Sequence, residues 1–174
     1  MEAIRGRTFR VGDAVNTDYI IPARYLDVYE PEALAAHVFE GLGPDYPDRV
    51  RGCTVLLAGE NFGLGSAREQ APNALKGAGF RAVLAASVAR TFFRNAINVG
   101  LAVVCCPAAV RAIAAGDEVC LDLEAGRIQA AGNRTFAFQP LPPPLGRILA
   151  AGGMAALLGR RPATPPPAAG APWD

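Results

Sequence analysis

The apolar positions along this chain fall into two regimes. In the middle, Cys53 to Ala58 (CTVLLA), Ala82 to Ala86 (AVLAA) and Leu101 to Cys106 (LAVVCC) are short unbroken runs. That is the pattern of strands covered on both faces. Between them, Pro72 to Ala78 reads as a helix ending at Gly79. Ser87 to Asn98 reads as a second helix, with Val88, Phe92 and Ile97 apolar and Gly100 as its stop. Strands alternating with helices predict a parallel α/β unit.

On either side the pattern changes. Thr8 to Asp13 reads as a strand running into a turn, followed by the polar knot Asn16-Thr17-Asp18 and then Tyr19-Ile20-Ile21-Pro22. Glu30 to Leu42 places Leu34, Val38 and Leu42 at helical spacing, with Pro31 in a first turn where it is tolerated. Gly43 to Asp48 is a turn cluster. Past Asp117, Val119 to Leu123 alternates, and Arg127-Ile128 and Thr135 to Phe138 read as further short strands. A small antiparallel layer is therefore expected after the parallel unit. Ile148 to Leu158 predicts a last helix. Residues 161–174 are rich in Pro and Ala, with too little apolar surface to offset the entropy of ordering them. The expected organisation is one domain over residues 1–160 and a disordered tail.

Composition narrows the function classes. No apolar run approaches the ~20 residues of a membrane-spanning helix, and Met1 to Arg10 lacks the apolar centre of a signal peptide. A cytoplasmic protein is expected, with no membrane partner. The 17 basic and 16 acidic residues leave a net charge of +1, without the excess that marks nucleic-acid binding. Cys53, Cys105, Cys106 and Cys120 lie mostly within apolar stretches and form no CxxC pair. They read as small buried hydrophobes in a reducing compartment, not as zinc or iron–sulfur ligands. His37 is the only histidine, so neither a His-based metal site nor a Ser-His-Asp triad is expected.

The chemistry concentrates in Gly59 to Pro72, GENFGLGSAREQAP. A buried strand ends, glycines allow close approach of the backbone, and a helix begins. Parallel α/β sheets bind anions at such corners. The third glycine of a dinucleotide-binding GxGxxG would fall at Arg68, and no GK[ST] follows, which excludes both phosphate loops. Ser66-Ala67-Arg68-Glu69 spells a capping box. A helix starting there, however, would put Pro72 in its second turn, with a lost hydrogen bond and a ring clash. With Pro72 as a first helical residue, Ser66 to Gln70 becomes an irregular segment offering free amides, a hydroxyl and a guanidinium. Arg68 could grip a carboxylate through two parallel bonds, or face solvent, or pair with Glu69. Asp18 could serve a site or simply close an Asx-turn.

The run GENFGLGSAREQAPNALKGAGFRAVLAASVARTFFRNAINVGL, with GDAVNTDYIIPARYL upstream, resembles the signature regions of the aconitase-type dehydratase small subunits, the 3-isopropylmalate dehydratase and homoaconitase family. The resemblance spans residues 6 to 158. It implies an α/β fold: a swivelling β/β/α domain with a mixed sheet, parallel in one part and antiparallel in a smaller layer. It implies a subunit of a hydro-lyase that interconverts 3-isopropylmalate and 2-isopropylmalate, or a close substituted malate, by dehydration and rehydration, with leucine biosynthesis as the default pathway. The partner would be a large subunit whose [4Fe–4S] cluster acts as Lewis acid; this chain would hold no cofactor and be inactive alone. The substrate would be a small dicarboxylate.

Residue by residue, Ser66 matches the family's base, Arg68 its carboxylate-binding arginine, and Thr17 and Asp18 its Thr-Asp pair. Ala67 stands at a substrate-binding position. Tyr25, Leu26, Asp27 and Val28 match the loop that reads the substrate's substituent. A serine alkoxide needs several donors to hold its charge, and the amides of the glycine turn could supply them. Two departures stand out. The family's Gly-Ser-Ser-Arg-Glu-His is Gly-Ser-Ala-Arg-Glu-Gln here, so Ala67 lacks a hydroxyl and Gln70 replaces a histidine. Asp27, if it faces the substrate, would repel a third carboxylate by on the order of a few kcal/mol; it could also point to solvent. Three alternatives stay open: a homoaconitase-type subunit, a specialised-pathway isomerase of a malate analogue, and a non-catalytic binding module on the same fold.

Overall fold

Seven strands hydrogen-bond into one curled mixed sheet in the order β4-β3-β2-β1-β5-β6-β7. The structure, a computed structural model, describes residues 2–159; the tail expected at 161–174 lies outside the described residues. The elements run β1 (Ile4–Arg10), α1 (Thr17–Ile20), α2 (Pro31–Ala35), α3 (Tyr46–Arg49), β2 (Val55–Ala58), α4 (Gln70–Gly77), β3 (Ala82–Ala85) and α5 (Arg90–Val99). They continue with β4 (Ala102–Cys105), α6 (Pro107–Ala112), β5 (Glu118–Asp122), β6 (Arg127–Ala130), β7 (Arg134–Ala137), α7 (Pro143–Ala150) and α8 (Met154–Leu157). No helix among the described residues is long and apolar enough to cross a membrane.

β1 joins the two halves of the sheet. Its last residues, Thr8 to Arg10, pair in parallel with Val55 to Leu57. Its first, Ile4 to Arg7, pair antiparallel with Leu121 to Glu118. The parallel half, β1 to β4, and the antiparallel half, β5 to β7, are the two layers expected from the sequence. The ends of the order approach each other: the Cys106 thiol, just past β4, lies 3.6 Å from the Ala137 carbonyl of β7.

The unbroken apolar runs have a direct cause. Successive strand residues point to opposite faces, and each face of β2 and β3 has its own core. Leu56, Ala58, Val83 and Ala85 join Leu34, Leu75, Phe62 and Phe92 on one side. Val55, Leu57, Ala82 and Leu84 join Val110, Ile148 and Leu149 on the other. With no solvent face, these strands have no polar phase.

Several elements differ from the sequence reading. The helix expected over Glu30 to Leu42 stops at Ala35. Beyond it the chain closes four-residue turns, from the His37 amide to the Leu34 carbonyl and from the Glu40 amide to the His37 carbonyl. Phe39 then takes a left-handed conformation, φ 58°, with its amide on the Ile20 carbonyl at 2.8 Å. Leu34, Val38 and Phe39 are all buried, so the spacing reported burial and not helix length. The turn cluster after Gly43 contains a helical turn, α3. α6 was not legible as a helix: it is one turn and a half, opened by Pro107. The last helix starts earlier, at Pro143, and breaks at Gly152 and Gly153 (φ 85° and 129°) before resuming as α8. Of the cysteines, Cys53 and Cys106 are buried as expected and Cys120 is intermediate. Cys105 is exposed, because it ends the outermost strand of the sheet.

Candidate active site

The segments after β1 and β2 run side by side. The Ala14 amide bonds the Glu60 carbonyl at 2.7 Å, Gly63 bonds Val15 at 2.8 Å, and Thr17 bonds Leu64 at 2.9 Å. The Asp13 carboxylate accepts the Glu60 amide at 2.8 Å. A Cβ on Gly59 would sit 1.8 Å from that same carboxylate, and one on Gly63 would sit 2.3 Å from the Phe92 ring. Only glycine fits at both corners. These contacts bring the two motifs together at the carboxyl ends of parallel strands, where α/β sheets place their ligands.

Ser66 is exposed on this corner. The amides of Gly65, Ser66 and Ala67 have no partner among the described residues, whereas the Arg68 amide takes the Ser66 carbonyl at 2.9 Å. α4 begins at Gln70 with Glu69 in the cap position and no side-chain cap bond. Ser66 is thus not the cap that S-x-x-E would make it. Pro72 is third in the helix instead of first; its missing N–H is still one of the first-turn donors that lack a helical partner.

Arg68 pairs with neither Glu69 nor solvent. Its side chain is 14% exposed and Nη1 donates to Asp18 Oδ1 at 2.5 Å. The cap of α1 is made by Asn16, whose side chain accepts the Tyr19 amide at 3.0 Å, so Asp18 closes no Asx-turn and holds Arg68 instead. Next to it, Thr17 is 2% exposed. Its hydroxyl is a buried side-chain oxygen without a hydrogen-bond partner among the described residues, and a Cβ on Gly65 would lie 3.3 Å from it. Ser66, Arg68, Thr17 and Asp18 therefore share one corner. Ala67 is exposed beside them.

The Tyr25 to Val28 loop is anchored on residues that the sequence reading missed. The Tyr25 hydroxyl donates to Glu40 Oε2 at 2.7 Å, and its ring stacks on His37 at 3.8 Å between centroids. His37 Nδ1 lies 2.9 Å from the same carboxylate oxygen, and Arg24 pairs with its other oxygen. The Tyr25 hydroxyl first, then His37 and Arg24, hold the Glu40 carboxyl below its ordinary value. Tyr25 is thus committed to the protein. Val28 packs against the core. The Leu26 carbonyl accepts from Gln70 Nε2 at 2.8 Å. Only Asp27 is both exposed and without a partner among the described residues. The spacing of His37 and Glu40 signals an i,i+3 contact, but nothing in it points to Tyr25.

Among the described residues no group of three or more His, Cys, Asp and Glu side chains could hold a metal ion. A cavity of about 570 Å³ opens at the other end of the parallel strands, beside Phe80, Arg81 and Ala102. Ser66 and Arg68 do not line it.

The profile of the aconitase C-terminal domain matches residues 20–108, which include Ser66 and Arg68 and begin just after Thr17 and Asp18. The chain belongs to the aconitase C-terminal domain family. It is 46% identical over 160 residues to the 3-isopropylmalate dehydratase small subunit 1 of Methanopyrus kandleri, covering 91% of this chain and 94% of that protein. It is 44% identical over 151 residues to the 2,3-dimethylmalate dehydratase small subunit of Eubacterium barkeri, covering 86% and 93%. The crystal structure of a 3-isopropylmalate dehydratase from Methanocaldococcus jannaschii superimposes with a TM-score of 0.83 at 42% identity, covering 90% of this chain and 93% of that one. The aconitase-type fold expected from the sequence is therefore the fold of this family member.

Proposed function

We propose that this aconitase-family chain is the small subunit of a heteromeric hydro-lyase acting on a substituted malate, and that Ser66 is its base. The observation that carries the reading is the meeting of Ser66 and Arg68 with Thr17 and Asp18, fixed by the Arg68–Asp18 bond. In the reaction a proton leaves the carbon next to a carboxylate, the hydroxyl leaves the neighbouring carbon, and an alkene forms. Return of water with the opposite placement gives the isomer.

Ser66 would take the proton at Oγ. A serine oxyanion is reasonable only where fixed donors hold its charge, and the amides of Gly65, Ser66 and Ala67, unpartnered among the described residues, would be such donors. Arg68 would bind the substrate carboxylate whose negative charge grows as the proton leaves. Asp18 takes one guanidinium nitrogen and leaves the others for that carboxylate. Ala67 offers only its amide, so the carboxylate pocket has one hydroxyl fewer than the family pattern. A [4Fe–4S] cluster on the large subunit would supply the Lewis acid for the departing hydroxyl. The donors among the described residues do not fit such a cluster: Cys53 and Cys106 are buried, and no three ligands gather there.

Asp27 is exposed and without a partner among the described residues; facing the substrate, it would favour a neutral substituent over a third carboxylate. Substituted malates with alkyl groups, such as 3-isopropylmalate and 2,3-dimethylmalate, are the substrate class. The test is to co-express the chain with a large subunit and follow hydration of isopropylmaleate and dimethylmaleate by loss of the conjugated alkene absorbance. Hydration of either by the pair, and of neither by this chain alone, is expected; a pair inert to both contradicts the reading.

A further inference from the structure

We propose that Gln70 is a positioning residue for substrate selection. Its side-chain amide fixes the Leu26–Asp27 peptide and so orients Asp27, which among the described residues is the exposed, unpartnered side chain of residues 25–28, the loop that would face the malate's substituent. The proposal rests on the substituted-malate reading above.

Gln70 is the first residue of α4, two positions after Arg68 and four after Ser66. Its Nε2 reaches back 44 residues to the Leu26 carbonyl at 2.8 Å. Leu26 closes the single helical turn Ala23–Tyr25, with its own amide on the Ala23 carbonyl at 3.2 Å. That turn is held on its far side by Tyr25 and Arg24 on Glu40. The loop is thus held by Glu40, by the packing of Val28 against the core and by Gln70, and Gln70 is the anchor attached to the Ser66–Arg68 segment. A peptide group is planar, so orienting the Leu26 carbonyl also orients the Asp27 N–H in the same plane and the start of Asp27 itself. Among the described residues Asp27 makes no hydrogen bond or ion pair of its own that would set its position. Any shift of Gln70 relative to Arg68 therefore moves the loop relative to the carboxylate grip.

The donor is what matters. A glutamate of almost the same shape has no N–H to give when ionised and would turn a charge toward the Leu26 carbonyl. A histidine keeps a ring N–H donor. The experiment uses the assembled pair and measures kcat and KM for isopropylmaleate and dimethylmaleate, together with amide hydrogen exchange in residues 23–28. Gln70→Glu and Gln70→Ala should shift the ratio of the two kcat/KM values by roughly two- to tenfold, the scale of one hydrogen bond. The change should lie mainly in KM, and exchange in the loop should rise. Gln70→His should restore both readouts toward wild type. Ser66→Ala should leave loop exchange as it is. An unchanged substrate ratio in both variants, or unchanged loop exchange, overturns the proposal. A wild-type pair that hydrates neither alkene overturns the substrate reading and the selection role with it, and the exchange data then show whether the clamp alone exists.

Discussion

The guanidinium of Arg68 donates to the carboxylate of Asp18 at 2.5 Å, across 50 residues of chain. The bond joins the segment after β1 to the segment after β2 and sets the direction of the arginine before any substrate arrives. Arg68→Lys keeps the charge but loses the planar fork. In the assembled pair it should raise KM roughly 10- to 100-fold, the scale of a hydrogen bond to a charged group, with the melting temperature little changed. Asp18→Asn should alter the stability of the free subunit by less than about 1 kcal/mol, since the carboxylate is half-exposed. Thermal denaturation checks it.

Thr17 predicts a trade between stability and activity. Its hydroxyl is buried without a partner among the described residues, a cost of about 1–3 kcal/mol that folding does not recover. Thr17→Val keeps the shape and removes the polar group. The isolated subunit should become more stable, with a higher melting temperature, while the assembled pair loses turnover because the hydroxyl is held for the site beside Gly65.

Gly63 is a steric requirement. It has φ 74°, and a Cβ there would stand 2.3 Å from the Phe92 ring. Gly63→Ala should destabilise the subunit by about 2 kcal/mol or more. Gly12→Ala, where nothing lies within 4 Å and φ is not in the left-handed region, should be nearly neutral. Chemical denaturation of the two variants makes the comparison.

Glu40 makes the Tyr25–Val28 loop sensitive to acid. The Tyr25 hydroxyl, His37 and Arg24 hold its carboxyl below the ordinary 4.5. A group whose value is depressed on folding contributes stability that is complete above its ordinary value and is lost as pH falls through the folded one. Amide exchange in residues 23–28 should therefore rise on acidification below pH 4.5. Glu40→Gln should show the loosened loop at neutral pH and a flat response to acid.

The strands and the glycine-rich corner were legible in the sequence for physical reasons. β2 and β3 are covered on both faces, so their composition alone gives them away. Gly59 and Gly63 stand where a side chain would strike Asp13 or Phe92, and Gly65 has a φ of 103° that side chains rarely adopt. The choice between an Asx-turn and a site role for Asp18 depended on Asn16, which takes the cap and frees Asp18 for Arg68. That competition between neighbours has no signature in spacing. The helix drawn through Val38 failed because Phe39 reverses the chain while staying buried; apolar periodicity reports which residues face the core, not the backbone path between them. Tyr25 was expected in the loop that reads the substituent; the bond of its hydroxyl to Glu40 is a tertiary contact that local pattern does not encode. Gln70 looked like a loss from the motif. It makes a bond that only the folded loop discloses.

Ser66→Ala in the assembled pair tests the central claim most directly. Ser66 is exposed and caps nothing, so the variant should fold and assemble like wild type. Loss of a positioned base should lower kcat by roughly 10²- to 10⁴-fold, with KM for isopropylmaleate little changed. A variant that assembles normally and turns over at the wild-type rate would contradict the account.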